Sequence, residues 1–157
     1  MEKTLLRNWT PRRLRWFLNW YPPYLGAGVR VDKVADDWTG LDVRMPLRWY
    51  NRNAVGTHFG GSLYSMVDPH LMLLLVGALG RDYVVWDQAA SIRFVKPGRG
   101  TVHARIRLTR ETIGEIREQT ASGDAYRPEF AFPIVDDDGA TVAEVTKVIY
   151  VRAKPRD

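Results

Sequence analysis

The chain has 157 residues, 45% hydrophobic and 26% charged, the length and balance of one folded domain and not of a disordered segment. It has no cysteine, which excludes disulfides, thiolate metal sites and cysteine nucleophiles. The 23 basic residues outweigh 18 acidic ones for a net charge of +5. That favours anionic partners without choosing among nucleic acid, lipid and a phosphorylated ligand.

Met1–Asn8 is polar and lacks the apolar core of a secretory signal, so a cytoplasmic protein is expected. Thr10 to Tyr21 places Leu14, Phe17, Leu18 and Tyr21 at i, i+3, i+4 and i+7, one apolar helical face. Thr10 suits the N-cap and Pro11 the first helical position, and Pro22-Pro23 ends the helix. Residues 1–23 read as a helical extension packed on a domain over 24–153, with a short tail over 154–157. Val29–Val34 and Leu41–Leu47 read as strands, and Trp49–Phe59 as a loop. Gly60-Gly61 opens a helical segment that runs to about Leu79, with Gly80 as its stop. Its most apolar run, Leu71–Leu79, is about half the ~20 residues of a membrane span and reads as a buried helix.

The second half is mostly strand. Gln88–Lys96 is one; in the next, Val102, Ala104, Ile106 and Leu108 alternate with His103, Arg105 and Arg107. Thr109–Ser122 is more helical. Phe130, Phe132 and Ile134 alternate again, Asp136–Gly139 turns the chain, and Val142–Val151 is the last strand. The order predicts an α+β protein in which an antiparallel sheet wraps one long central helix, with an extra N-terminal helix.

The informative motif runs from Asn53 to Asp68, through His58-Phe59-Gly60-Gly61. It resembles the pattern of hotdog-fold thioesterases related to the phenylacetate-pathway acyl-CoA thioesterases: an Asn, a His-Gly-Gly at a helix start, and an Asp seven residues after the second Gly. The runs Asn19–Tyr24 and Phe94–Gly100 are similar to a less characterised, thioesterase-like branch of that fold. The resemblance implies the hotdog fold, hydrolysis of acyl-CoA thioesters, no cofactor beyond the coenzyme A of the substrate, and a homodimer or homotetramer with the site at an interface.

It also implies roles. Asp68 would be general base or nucleophile, Gly60 and Gly61 would offer backbone N–H groups to the carbonyl oxygen, and Asn53 would hold the water or the carbonyl. The family histidine is Phe59 here, with His58 one place earlier. The partner's polar residue falls at or near Asp87, beside Gln88 and Ser91. Lys96, Arg99 and Arg93 are candidates for the phosphates of coenzyme A, and Ser91 and Phe59 for substrate contacts.

Each role has a plainer rival. Asp68-Pro69 also suits a helix N-cap followed by Pro at N1, or a kink within one helix. Gly60-Gly61 also suits close packing, Asn53 a turn, His58 a structural contact, Asp87 a strand boundary, and the basic residues solvent. Two rival functions share the fold, a non-catalytic acyl-CoA binder and an enoyl-thioester hydratase. A third is nucleic-acid or membrane-surface binding through Trp9, Arg12, Arg13, Arg15 and Trp16, against which packing of the helix on the domain is the simpler reading. No metal-ligand spacing, phosphate loop or dinucleotide fingerprint is present.

Overall fold

The computed structural model describes residues 9–155; Met1–Asn8, including the reading of its polarity, and residues 156–157 lie outside them. Helix α1 (Pro11–Trp20) starts where expected: the Thr10 hydroxyl accepts from the Arg13 amide at 3.3 Å, with Pro11 at the first position. Leu14 and Leu18 are buried, and α1 packs on strand β1 (Arg30–Val34). Asn19 ties the two elements together, since its side chain both donates to the Val31 carbonyl and accepts from the Val31 amide. Pro22-Pro23 ends α1 and also opens a second helix, α2 (Pro22–Ala27), which the sequence reading did not expect. A proline that cannot continue one helix is well suited to begin the next.

Strand β2 (Gly40–Pro46) returns against β1. The other strands are β3 (Tyr83–Phe94), β4 (Thr101–Arg107), β5 (Ala125–Tyr126), β6 (Glu129–Asp136) and β7 (Thr141–Ala153). Among the described residues they form a seven-stranded antiparallel sheet in the order β1-β2-β4-β6-β7-β3, with β5 paired to β7. The strand expected over Gln88–Lys96 starts earlier, at Tyr83. Its first residues are a continuous apolar run, and it bulges between Asp87 and Ala89. Helix α5 (Arg110–Gln119) is capped by Thr109 and buries Ile113 and Ile116.

The segment Gly60–Leu79 is helical but not one continuous helix. It consists of α3 (Gly60–Ser65) and α4 (His70–Leu79), separated by turns over Met66–Pro69 that include a cis Asp68–Pro69 peptide. Proline lacks the N–H that would continue the ladder, so the break falls at Pro69. Asp68 does not cap α4, whose N-cap position is Pro69 without a side-chain hydrogen bond. By length and composition alone this 20-residue segment is apolar enough to cross a membrane. In the fold, Leu71, Leu74 and Leu75 are at most 1% exposed, in one core with Val43, Ile106, Val145 and Ile149 from the sheet. This is a sheet curled around an interior helix, the hotdog layout.

Candidate functional site

The break between α3 and α4 turns the Asp68 side chain toward the sheet. There it meets Lys147, at the middle of β7. That strand alternates, and Val145, Lys147, Ile149 and Val151 point inward, all 0% exposed. A lysine in such a place needs counter-charges. Two are present: the ammonium lies 2.6 Å from Asp68 Oδ1 and 3.0 Å from Asp87 Oδ1. Asp87 reaches the same point from β3, where it pairs with Ile149 of β7. The Tyr64 hydroxyl donates to Asp68 Oδ1 at 3.3 Å, and its ring lies 5.6 Å from the Lys147 ammonium. The cluster thus gathers α3, the break after it, β3 and β7.

A second set of contacts fixes the backbone behind Asp68. The buried Tyr24 hydroxyl of α2 donates to the Asp68 carbonyl and lies 3.4 Å from His70 Nε2. His70 opens α4 and is fully buried.

Burial and neighbouring charge shift several of these groups. Burial raises the Asp87 carboxyl above its usual range; Lys147 opposes the shift and the Asp68 charge adds to it. Burial alone would lower Lys147. The hydrogen bond to Asp68 and the charge of Asp87 outweigh it, so the ammonium is held above the ordinary lysine value. Burial, then the Lys147 charge, pushes His70 down to about 3, so it is a neutral ring at neutral pH. Burial also raises the hydroxyls of Tyr24 and Tyr64.

The residues named from sequence divide into two groups. Asp68 and Asp87 come together, within one chain and through Lys147; the resemblance had implied that the second polar residue comes from a partner. The others have different neighbours. The Asn53 side chain is used in its own loop, accepting from the Val55 and Thr57 amides and donating to Thr57 Oγ1 and the His58 carbonyl. His58 is 3% exposed, with Nε2 3.0 Å from the Gly100 carbonyl, and burial lowers its basicity. Gly60 and Gly61 lie under aromatic rings: a Cβ on Gly60 would sit 2.9 Å from Phe94, and one on Gly61 2.5 Å from Phe59. Helix α3 nonetheless starts without a side-chain cap. Phe59 is 56% exposed. Lys96 pairs with Asp136 at 2.5 Å and Arg93 with Glu144 at 2.7 Å, while Ser91 and Arg99 are exposed. Gln88 accepts from Arg127.

Lys147 was absent from the sequence reading. Its signal is a lysine at an inward position of an otherwise apolar alternating strand. Among the described residues no group of three or more His, Asp or Glu is placed to hold a metal ion.

The wrapped helix and the seven-stranded antiparallel sheet define a hotdog-fold protein. The chain belongs to the family described as Domain of unknown function (DUF4442), whose model matches residues 11–151. No protein of curated function matches the sequence. Among solved structures, it is similar to a Pseudomonas aeruginosa protein of unknown function described as a probable thioesterase. Identity there is 19% and the TM-score 0.78, over 91% of this chain and 96% of that one. A Chlorobaculum tepidum protein of unknown function is 16% identical at a TM-score of 0.72, over 93% and 98%. A Haemophilus influenzae thioesterase is 14% identical at 0.67, over 95% and 94%. At these identities the likeness is one of fold.

Proposed function

We propose that this chain hydrolyses acyl-CoA or related acyl thioesters to the free acid and thiol, with Asp68 as the reacting carboxylate. The observation that carries the reading is the Asp68–Lys147–Asp87 cluster, an ion group built into the sheet beside a carboxylate whose side chain is 40% exposed. A lone buried lysine with two acids is a costly way to stabilise a core, and such groups concentrate at sites of chemistry. The solved relatives called thioesterases, in Pseudomonas and Haemophilus, have the same fold.

In the proposed reaction Asp68 takes a proton from water as the water oxygen attacks the thioester carbonyl carbon. The C–S bond then breaks, and the leaving thiolate takes up the proton held by Asp68, which restores the carboxylate. Lys147 and Tyr64 hold one carboxylate oxygen in place, and Asp87 balances the ammonium. The amides that open α3 would donate to the carbonyl oxygen as negative charge develops on it. The resemblance implies a site at an interface between copies, so we assign the α3 amides and the Asp68 cluster of a working site to two chains. The exposed edge strand β3, 12 residues long at the end of the sheet, is the surface we assign to the second copy.

One observation favours a second reading, a non-catalytic acyl-CoA binder. Phe59 replaces the family histidine, and His58 is turned onto the Gly100 carbonyl. The same sequestration counts against a hydratase that needs a histidine at the site. The test is thiol release from a panel of short, long and aromatic acyl-CoAs, with Asp68→Asn alongside. A loss of at least about a hundredfold in rate, with the fold intact by circular dichroism, is expected of the variant. Binding by wild type with no thiol release from any member would replace hydrolysis by the binding role.

A further inference from the structure

Helix α1 buries Leu14 and Leu18 and turns its other side outward. Arg12, Trp16 and Trp20 follow one another at i, i+4 and i+8 on that outward side, a stripe opposite the buried leucines. Trp16 is 67% exposed and Trp20 65%, while the opposite side of the helix packs on β1. Tyr21, which follows α1, and Leu25 of α2 are exposed as well. A second aromatic pair adjoins the end of α2. Trp49 is 80% exposed with its ring 5.5 Å from Tyr50, and the Tyr50 hydroxyl lies 3.3 Å from where a Cβ on Gly28, the cap of α2, would sit.

The segments that carry these rings hold charge of one sign, with Asp32, whose carbonyl accepts from Arg15, just outside them and paired with Arg44. Residues 9–31 contain Arg12, Arg13, Arg15 and Arg30 and no Asp or Glu; residues 47–61 add Arg48 and Arg52, again with no carboxylate. Arg15 and Arg30 donate to backbone carbonyls, which position their guanidinium groups without neutralising them.

We propose that this face, α1 and α2 with the Trp49–Tyr50 loop, docks the protein on an anionic lipid surface. Indole and phenol rings gain from the headgroup region, where the ring leaves water and its polar edge stays hydrated. Guanidinium groups pair with lipid phosphates, and a helix carrying aromatic and basic residues on its outward side can lie in the plane of the interface. Nucleic acid would use the same arginines, but the exposed Leu25 gains from lipid and nothing from a phosphate backbone. This inference is independent of the proposed hydrolysis.

The test is co-sedimentation of the full chain with vesicles of phosphatidylcholine alone and of phosphatidylcholine mixed with phosphatidylglycerol. At least about tenfold tighter binding to the anionic vesicles is expected, weakening as salt is added. Trp16→Ser with Trp20→Ser should lose at least about tenfold of that binding, because two interfacial anchors are gone. Arg12→Glu, a single exposed change that leaves the aromatic rings in place, should weaken binding to the anionic vesicles selectively. Wild type that stays in solution with both vesicle types would overturn the proposal, as would folded variants that sediment like wild type. Two further results would also overturn it by naming another occupant. One is tighter binding to DNA than to vesicles, lost in the same variants. The other is a wild-type oligomer that the tryptophan variant takes apart.

Discussion

Lys147 has no exposed surface and holds two carboxylates, so its substitution separates positioning from simple packing. In Lys147→Met the side-chain volume is nearly kept while Asp68 and Asp87 face each other without a counter-charge. Breaking a buried pair costs about 3–5 kcal/mol; because the Asp68 side chain is 40% exposed, water screens part of this and about 2 kcal/mol is expected here. Urea unfolding reads that loss, and adding Asp87→Asn should restore part of it, since one of the two unpaired charges is then removed. The rate should respond differently from the stability. Without the ammonium the Asp68 carboxylate loses the contact that fixes its Oδ1, so thiol release should fall by at least about tenfold in Lys147→Met and stay low when Asp87→Asn restores part of the stability. An undiminished rate in a folded Lys147→Met protein would remove Lys147 from the chemistry. The sequence contained part of this site. The spacing from Gly61 to Asp68 pointed to Asp68, and alternation along β7 places residue 147 inward, although its charge reads as solvated when residues are taken singly. That Asp68 and Asp87 share one ammonium depends on β3 lying beside β7, a pairing that no local pattern encodes.

At the scale of elements, those defined by a local period were the legible ones. Helix α1 follows from Leu14 and Leu18 with a Thr-Pro start, and β4 from strict alternation between Val102 and Ile106. The break at Met66–Pro69 was less so, because Asp-Pro is compatible with a cap, a kink or a turn, and contacts with α2 and β7 decide among them. The start of β3 was missed since Tyr83–Trp86 is a continuous apolar run with no period to read. Strand β3 is also where a prediction belongs. Among the described residues it ends the sheet and pairs with β7 on one side only, and it carries the small residues Ala89, Ala90 and Ser91 at its centre. Ala89 and Ser91 alternate with Ala90, which pairs with Lys147 and shares its side of the sheet, so the other two side chains share the opposite face. A two-fold pairing of this edge sets residues from one copy against their equivalents from the other. Ala89→Lys with Ser91→Lys should therefore repel across it and shift a dimer toward monomer by at least about tenfold in dissociation constant. Sedimentation equilibrium reads the shift. Thiol release should fall with it where the site draws on both chains, whereas a wild-type protein that sediments as a monomer at all concentrations would refute the pairing.

Across the whole molecule, α2, the break before α4 and β7 meet in one polar chain, buried except at the Asp68 carboxylate: Tyr24, His70, Asp68 and Lys147. Because the chain ties the N-terminal helices to the last strand, a proton forced into it should weaken the entire fold and not one element. His70 is the group through which acid acts. Its folded value is about 3, against an ordinary value of 6.5. Above pH 6.5 neither the folded nor the unfolded state carries the proton, and His70 makes stability no more pH-dependent. Below 6.5 the unfolded chain takes the proton and the folded one does not, so stability falls, at up to about 1.4 kcal/mol per pH unit, until pH approaches 3. His58 is shifted the same way by burial and adds to the loss. Asp87 works against it: its raised carboxyl takes a proton in the folded state before it would in the unfolded one, which favours folding as acid is added. Asp136 and Asp137, lowered chiefly by hydrogen bonds to Lys96 and His103, add their own loss only below the ordinary carboxylate range. The onset therefore belongs to the histidines. Urea midpoints measured from pH 7.5 to 4.5 should decline from about 6.5 downward. His70→Gln, which keeps a polar side chain near Tyr24 and cannot take up a proton, should start less stable at pH 7.5 and decline more gently. A wild-type midpoint that stays level across that range would mean that His70 is not held neutral, and the buried chain that links the N-terminal helices to the site would lose its main support.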